Sequence, residues 1–516
     1  MSFRSRALAL VMLVVALPGV AAAQNASLRI GLPALPPTLD PATAIEGAIP
    51  FVSRQVFDTL VQYREGSSDV EPGLAASWSV SRDGLSWTFR LREGVRFHDG
   101  TALTSRDAAE SLDRIIVPNH ALAPSPNLAG PRFLRGSPGV VKEILTPDPR
   151  TLQINLLLPY APLLTVLAHP VFSVVHAGTG VNRWIGTGAY SVSETAPGRI
   201  TLDANPSYWA GTPRTARIHL IEAGESARAE AEVEARNLDI LIPASAPSRM
   251  QGALSVASWR IGYLAIQNEH EPFKRRKVRR AIAAALSPAT IVAAIEPAAL
   301  SLPLYLPQTI WASIETPLLT LADPAAAKHL LTEAGVGPGL TASMIADASA
   351  GPEVTRVAEA IRHSLAAAAI TVTVRTAPPD GALAAMQSGS FDLVLAEART
   401  EGGDPHMLLF PLSTNEGATR GPNLTNFSFF RSSRLDDLLI RASQISFRPE
   451  RQRVYGRAQA LLAEETPWIP LYVRLHWAVA RPEIRNLRLH PSGNHRLDRA
   501  WIEQGQPAPP SPPRNP

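Results

Sequence analysis

The chain has 516 residues, more than one ordinary core of ~100–200 residues holds, so two or three lobes are expected. Its 49 basic against 45 acidic side chains leave a formal net charge of +4, too small and too dispersed for a nucleic-acid binder, and 45% hydrophobic with 18% charged residues excludes a disordered chain. The absence of cysteine excludes a disulfide scaffold, thiol catalysis, Cys-ligated zinc or iron–sulfur centres and a lipid-modified N-terminal cysteine, while 33 Gly and 47 Pro predict short elements and many loops.

Residues 1–23 combine a basic start at Arg4 and Arg6, an apolar run from Ala7 to Leu17, a break at Pro18-Gly19, and Ala21-Ala22-Ala23 ahead of Gln24. This is the pattern of a cleavable secretory signal peptide, its apolar run being shorter than the ~20 residues of a spanning helix. Cleavage removes only two charges, Arg4 and Arg6, leaving 47 basic against 45 acidic residues and a net charge of +2. No later segment offers ~18 uninterrupted apolar residues, so the mature chain is expected to be soluble.

Leu28, Ile30 and Leu32 alternate with polar or small residues, as a strand does. Trp87, Phe89 and Leu91 repeat the pattern, and so do Leu152, Ile154 and Leu156. Thr104 with Asp107 predicts a capped helix whose stripe is Ala108, Leu112, Ile115 and Ile116. The basic run Lys274 to Arg280 carries an apolar stripe of Val278, Ile282, Ala285 and Leu286, so it reads as the solvated face of a helix start. Asp323-Pro324 opens a further helix that Gly335 stops. Phe391 to Leu395 reads as a buried strand, with Glu397, Arg399 and Glu401 following at period two and therefore on one face if extended. Helical stripes recur at Leu435, Leu438, Leu439 and Ala442, and at Val454, Ala458, Leu461 and Leu462. The tail 504–516 holds six prolines and almost no apolar side chains, and is expected to be a disordered extension. The whole reads as α/β without strict βαβ alternation and without a fixed-period repeat.

A Gly-x-Ser-x-Gly elbow, a Walker loop and a His-Glu-x-x-His helix are all missing. Gly178, Gly180, Gly186 and Gly188 do not match Gly-x-Gly-x-x-Gly, so a turn is the reading there. The 12 histidines are scattered singly. No enzyme activity, metal or cofactor is therefore expected.

Several segments together resemble the family-5 extracellular solute-binding proteins, the peptide, dipeptide and nickel receptors of ABC importers. They are Val56-Phe57-Asp58-Thr59-Leu60-Val61, Glu71 to Trp78, and Leu91-Arg92-Glu93-Gly94-Val95-Arg96-Phe97-His98-Asp99-Gly100. Gly186-Thr187-Gly188-Ala189-Tyr190, Asn205-Pro206-Ser207-Tyr208-Trp209, Pro272-Phe273 with Val278 to Ala281, and Asp323 to Gly335 continue the series. The likeness runs from about Leu28 to about Tyr472, and the order and spacing of the segments carry it. Each also has a plain physical use: Glu93-Gly94 and Asp99-Gly100 are turn pairs around Phe97, and Tyr208 and Trp209 read as core anchors.

The resemblance implies a two-lobed periplasmic binding protein fold, type II-like, with an additional α+β domain on the first lobe. Lobe I would comprise 25–50, 175–265 and 483–503, the extra domain 51–174 and lobe II 266–482, with crossing segments near Gly262–Asn268 and Leu471–Ala480 as hinges. It implies a monomeric receptor, retained in a Gram-negative periplasm without a lipid anchor. Such a receptor would carry an oligopeptide, a dipeptide or a similar polar small molecule to permease subunits in the inner membrane. A nickel chelate, sugar or anionic metabolite is the alternative ligand, and an exported hydrolase or a sensing role the alternative functions. Asp404-Pro405 matches the family's acidic-Pro turn, which makes Asp404 an expected ligand-binding residue; counting back three residues makes Glu401 the carboxylate that would hold a ligand's ammonium. Peptide receptors carry Trp at the position of Ala398, so the expectation is that Ala398 lines the cleft and leaves its wall wider, the chain turning after Arg399 to bring Glu401 back, while Arg399, on the opposite face of a strand, is the lesser, anion-binding alternative. His406 and Met407 alone are too few for a nickel site.

Overall fold

In this computed structural model the described residues are 27–503, apart from 45–46, 118–119, 124–133, 135–138, 179–183, 225, 338, 348–351, 401 and 422. The segment 1–23 expected to be a signal peptide, the tail 504–516 expected to be disordered, and Glu401 therefore lie outside them.

An 11-stranded sheet organises the molecule. Ser27–Leu32, whose Leu28, Ile30 and Leu32 are buried as their alternation requires, runs parallel to Arg217–Glu222 and Ile240–Leu241. Tyr190–Ala196 and Arg199–Ala204 extend that half outward as a hairpin. At the other end Leu340–Asp347 is parallel to both Ile370–Ala377 and Leu393–Arg399. Parallel strands need a crossover, and the helix Pro352–Ala366 supplies one by burying Val354, Val357, Ala358, Ile361 and Leu365.

Two strands belong to both halves. Ala253–Ile266 and Trp468–Ala480 pair antiparallel along most of their length and carry the sheet from one parallel half to the other. The segments expected to cross, Gly262–Asn268 and Leu471–Ala480, overlap them. Each half has its own apolar core, one around Leu28, Tyr190 and Leu220, the other around Ile282, Met344 and Ile361.

A separate four-stranded sheet, in the order Ala75–Val80, Ser86–Leu91, Thr151–Leu156, Val141–Asp148, buries Trp87, Phe89, Leu91, Leu152 and Ile154. The helix Ser105–Ile116 has its expected capping box, with the Thr104 amide donating to Asp107 at 2.8 Å. This region also touches the far half of the molecule: the Ala161 amide donates to Ser443 O at 2.7 Å and the Trp311 amide to Ser68 Oγ at 3.1 Å.

The segments behind the family resemblance meet one another. Asp58, 2% exposed, accepts from Thr187 Oγ1 at 3.0 Å, Tyr208 OH at 3.0 Å and Trp209 Nε1 at 2.8 Å. Three sequence-distant signatures are thus tied at one buried carboxylate, and Tyr208 and Trp209 are core anchors as read. Gly186 and Gly188 pack on the backbone of Val56, where an added Cβ would lie 2.0 Å from Val56 O at the first and 2.4 Å from Val56 C at the second. Glycine is there for close approach between chain segments. The basic helix Arg276–Ala285 departs from its expectation at one residue: Arg279 is 3% exposed and donates to Phe273 O, Lys274 O and Glu465. Burial pushes its guanidinium down to about 10.

Candidate functional site

The two shared strands fall out of step at one place. Between the pairs Ala257–Leu475 and Ile261–Val473 the first strand spends four steps and its partner two. Bulges of this kind re-aim side chains. The bulged stretch finds other partners: the Trp259 amide donates to Pro491 O at 3.2 Å, the Arg260 amide to Ser258 Oγ at 3.1 Å, and Trp259 O accepts from the Thr400 amide at 3.3 Å. Trp259 and Arg260 consequently line a cavity of about 400 Å3 where the two halves of the sheet face each other. Leu32 to Ala34, Ile242 to Ser245 and Pro491 to His495 form one side, Arg399 and Thr400 the other, and His476 and Trp477 lie between.

Arg399 ends its strand directly opposite Arg260, and both side chains line the cavity. Two positions along, Glu397 pairs with Gly262, so it shares their face as the period-two reading required. Glu397 Oε1 accepts from Tyr472 OH at 2.9 Å and Arg474 Nε at 2.7 Å, and Oε2 lies 3.5 Å from Arg260. The Tyr472 ring reaches that carboxylate by lying over Gly262, where an added Cβ would be 2.0 Å from the ring. Among the described residues the lining contains two arginines and no carboxylate. His476, the neighbouring imidazole, is pushed down to about 4 by burial first and then by Arg260 and Arg399, so it is neutral at pH 7. Trp259 and Trp477 are 2% and 6% exposed, and their indole N–H groups have no hydrogen-bond partner among the described residues.

Of the residues expected at the site, Arg399 is in the lining. Ala398 is not; it pairs with Ile261 and packs against the hydrophobic core, because alternation along the strand turns it to the other face. The expected wide wall at Ala398 is thus replaced by an aromatic wall from elsewhere, Trp259 and Trp477. Asp404 is 1% exposed, with both oxygens 2.9 Å from Arg451 and one accepting from the His406 amide at 3.0 Å. It fastens the loop after Arg399 to the helix Arg448–Glu465. Tyr63 OH, 3.4 Å from the Gly403 amide, and Ser68, packed where a Gly403 Cβ would go, clamp the same loop from the other side. Glu401 lies outside the described residues. Trp259, Arg260, His476 and Trp477 were not singled out from the sequence as cavity residues; the one signal was that His476 and Trp477 fall in the expected crossing segment Leu471–Ala480.

Three comparisons bear on this geometry. The family model described as bacterial extracellular solute-binding proteins, family 5 Middle, matches residues 69–420. Heme-binding protein A of Haemophilus influenzae is 28% identical, covering 88% of each chain, and Di/tripeptide-binding protein 2 of Pseudomonas aeruginosa is 27% identical, covering 93% of this chain and 96% of that one. Among solved structures, HbpA2 from Haemophilus parasuis superposes with a TM-score of 0.85 at 22% identity, over 93% of this chain and all of that one. DppA from Helicobacter pylori, in complex with the peptide STSA, gives 0.71 at 23% identity over 94% and 100%.

Proposed function

The chain belongs to the bacterial extracellular solute-binding proteins of family 5, and we propose that it captures a short peptide or similarly polar small molecule between the two halves of its sheet and passes it to an ABC permease. The observation that carries the reading is the cavity itself, about 400 Å3, framed by the two shared strands and lined by indoles and guanidinium groups. Strands common to both halves are where small backbone rotations close such a molecule on its ligand. The relatives named for di- and tripeptides support a peptide ligand. The signal-peptide pattern at 1–23 supports export, and the absence of catalytic motifs supports binding without turnover. Glu401, the chain neighbour of Thr400 in the lining, is the proposed anchor for a ligand's ammonium.

Thermal-shift screening of the purified protein against peptides, amino acids, nickel salts, sugars and hemin tests the class. A ligand at 100 times its Kd should stabilise the fold by about 2.7 kcal/mol. Mass spectrometry of the recovered ligand should find it unchanged. A shift with nickel or a sugar and none with any peptide would overturn the peptide assignment. Hemin enters the screen because one relative is named for heme and the two arginines would suit an acidic ligand. Glu401→Gln should weaken ligands with a free amine roughly ten- to a hundredfold, the worth of one charge-assisted bond, and spare blocked ones.

A further inference from the structure

We propose that the loop His490–His495, which closes one side of the cavity, is a proton-operated latch: two neutral imidazoles hold it shut, and it opens when they take up protons. The latch belongs to the wall itself and holds whatever ligand the cavity takes.

The loop reads His490-Pro491-Ser492-Gly493-Asn494-His495. The Ser492 amide donates to His490 Nδ1 at 3.1 Å, and the His490 amide donates to His495 Nδ1 at 2.9 Å. The Ser492 hydroxyl also meets His490 Nδ1, at 2.8 Å. His490 Nε2 lies 2.9 Å from Ser67 O, a carbonyl that can only accept, so Nε2 carries the proton and Nδ1 the lone pair. An imidazolium has a proton on both nitrogens and accepts nothing. One proton on either ring therefore breaks the bond that its Nδ1 makes to a backbone amide. Gly493, at φ +83°, turns the loop over the His476 ring, whose Cε1 is 3.0 Å from where a Cβ would stand.

Both rings are buried, His490 being 8% and His495 1% exposed. Arg54, Arg488, Arg496 and Glu65 share a small cavity with His490; Glu65 is taken by Arg488 and Arg499, and Arg496 by Asp498. Tyr63, stacked on His490, stays neutral because burial raises its hydroxyl above the ordinary value of 10. His495 faces His476 and His490, with His169 lining the same cavity, and His476 in turn faces Arg260 and Arg399. Burial is the largest cause holding His490 down to about 4, with Arg54 adding to it and the bond to Ser67 O opposing it. Burial likewise holds His495 well below the ordinary 6.5. At pH 7 both rings are therefore acceptors. In an opened loop, exposed to water, they regain the ordinary value, so opening takes up two protons.

Hydrogen exchange of the full-length mature protein without added ligand, followed from pH 7 to pH 5, tests this. Expressed as protection factors, the segment 488–497 should lose up to about a hundredfold per pH unit below 6.5, about ten for each proton. It should also stay less protected at every pH than the shared strand Ala253–Ile266, because it opens without the rest of the chain. Asparagine places an acceptor oxygen near the position of Nδ1 and takes up no proton. His490→Asn combined with His495→Asn should remove the steepness, and His495→Asn alone, the milder change, should cut it to about tenfold per unit. A flat parent profile, equal protection of loop and strand, or an undiminished slope in the asparagine variants overturns the latch.

Discussion

Asp404→Asn separates a structural strut from a ligand contact. The carboxylate is 1% exposed and faces Arg451, whose side chain is 7% exposed, with both oxygens 2.9 Å from one guanidinium nitrogen. Tyr455 OH, at 3.3 Å, completes the cluster. Asparagine preserves the shape and removes the charge, leaving Arg451 buried with Ala442 O and Tyr455 OH as its remaining partners. Removing one member of a buried pair costs about 3–5 kcal/mol. Because asparagine keeps one acceptor oxygen, the lower end, about 3 kcal/mol, is expected. Urea unfolding of the unliganded protein should show it as a fall in midpoint with little change in slope. Asp404→Leu with Arg451→Met, which removes both charges, should recover most of the loss. An unchanged midpoint in Asp404→Asn would refute the strut. If ligand affinity vanished while stability stayed, Asp404 would be a direct contact, as the resemblance first suggested.

Gly186→Ala would push a Cβ to within 2.0 Å of Val56 O, a backbone atom that cannot swing away. A loss of about 3 kcal/mol or more is expected in the same assay, at the upper end of overpacking, and near-parent stability would mean the contact is loose. Folding should also weaken in acid. His406, His476 and His490 are each held down to about 4, burial being the largest cause, against an ordinary value of 6.5. The unfolded chain therefore takes up these protons first. Stability present above pH 6.5 should be lost as pH falls toward 4, by up to about 4 kcal/mol per pH unit for the three. Urea midpoints at pH 7.5, 6 and 5 measure this, and a flat profile would contradict the burial.

The sequence by itself determined most of the local order and the family. Alternation placed Leu28, Ile30 and Leu32, and later Leu152 and Ile154, in buried faces, because a strand with one covered side admits no other pattern. Thr104 with Asp107 fixed a helix start through bonds three residues apart. It also sorted the signatures correctly as parts of the fold, since Tyr208 and Trp209 end on Asp58. The register of two long strands was beyond it. A mismatch of four steps against two at Ala257–Ile261 turns Trp259 and Arg260 to the cavity, and that depends on pairing with residues more than 200 positions away. The family's Trp position drew attention to Ala398, but strand alternation turns Ala398 to the core and Arg399 to the cavity. Asp404, apt on paper to meet a ligand, was claimed by Arg451 from a helix 47 residues on. Short-range rules settle what a segment becomes; which side chains share a cavity is decided by packing between segments, and that exists only in the folded chain.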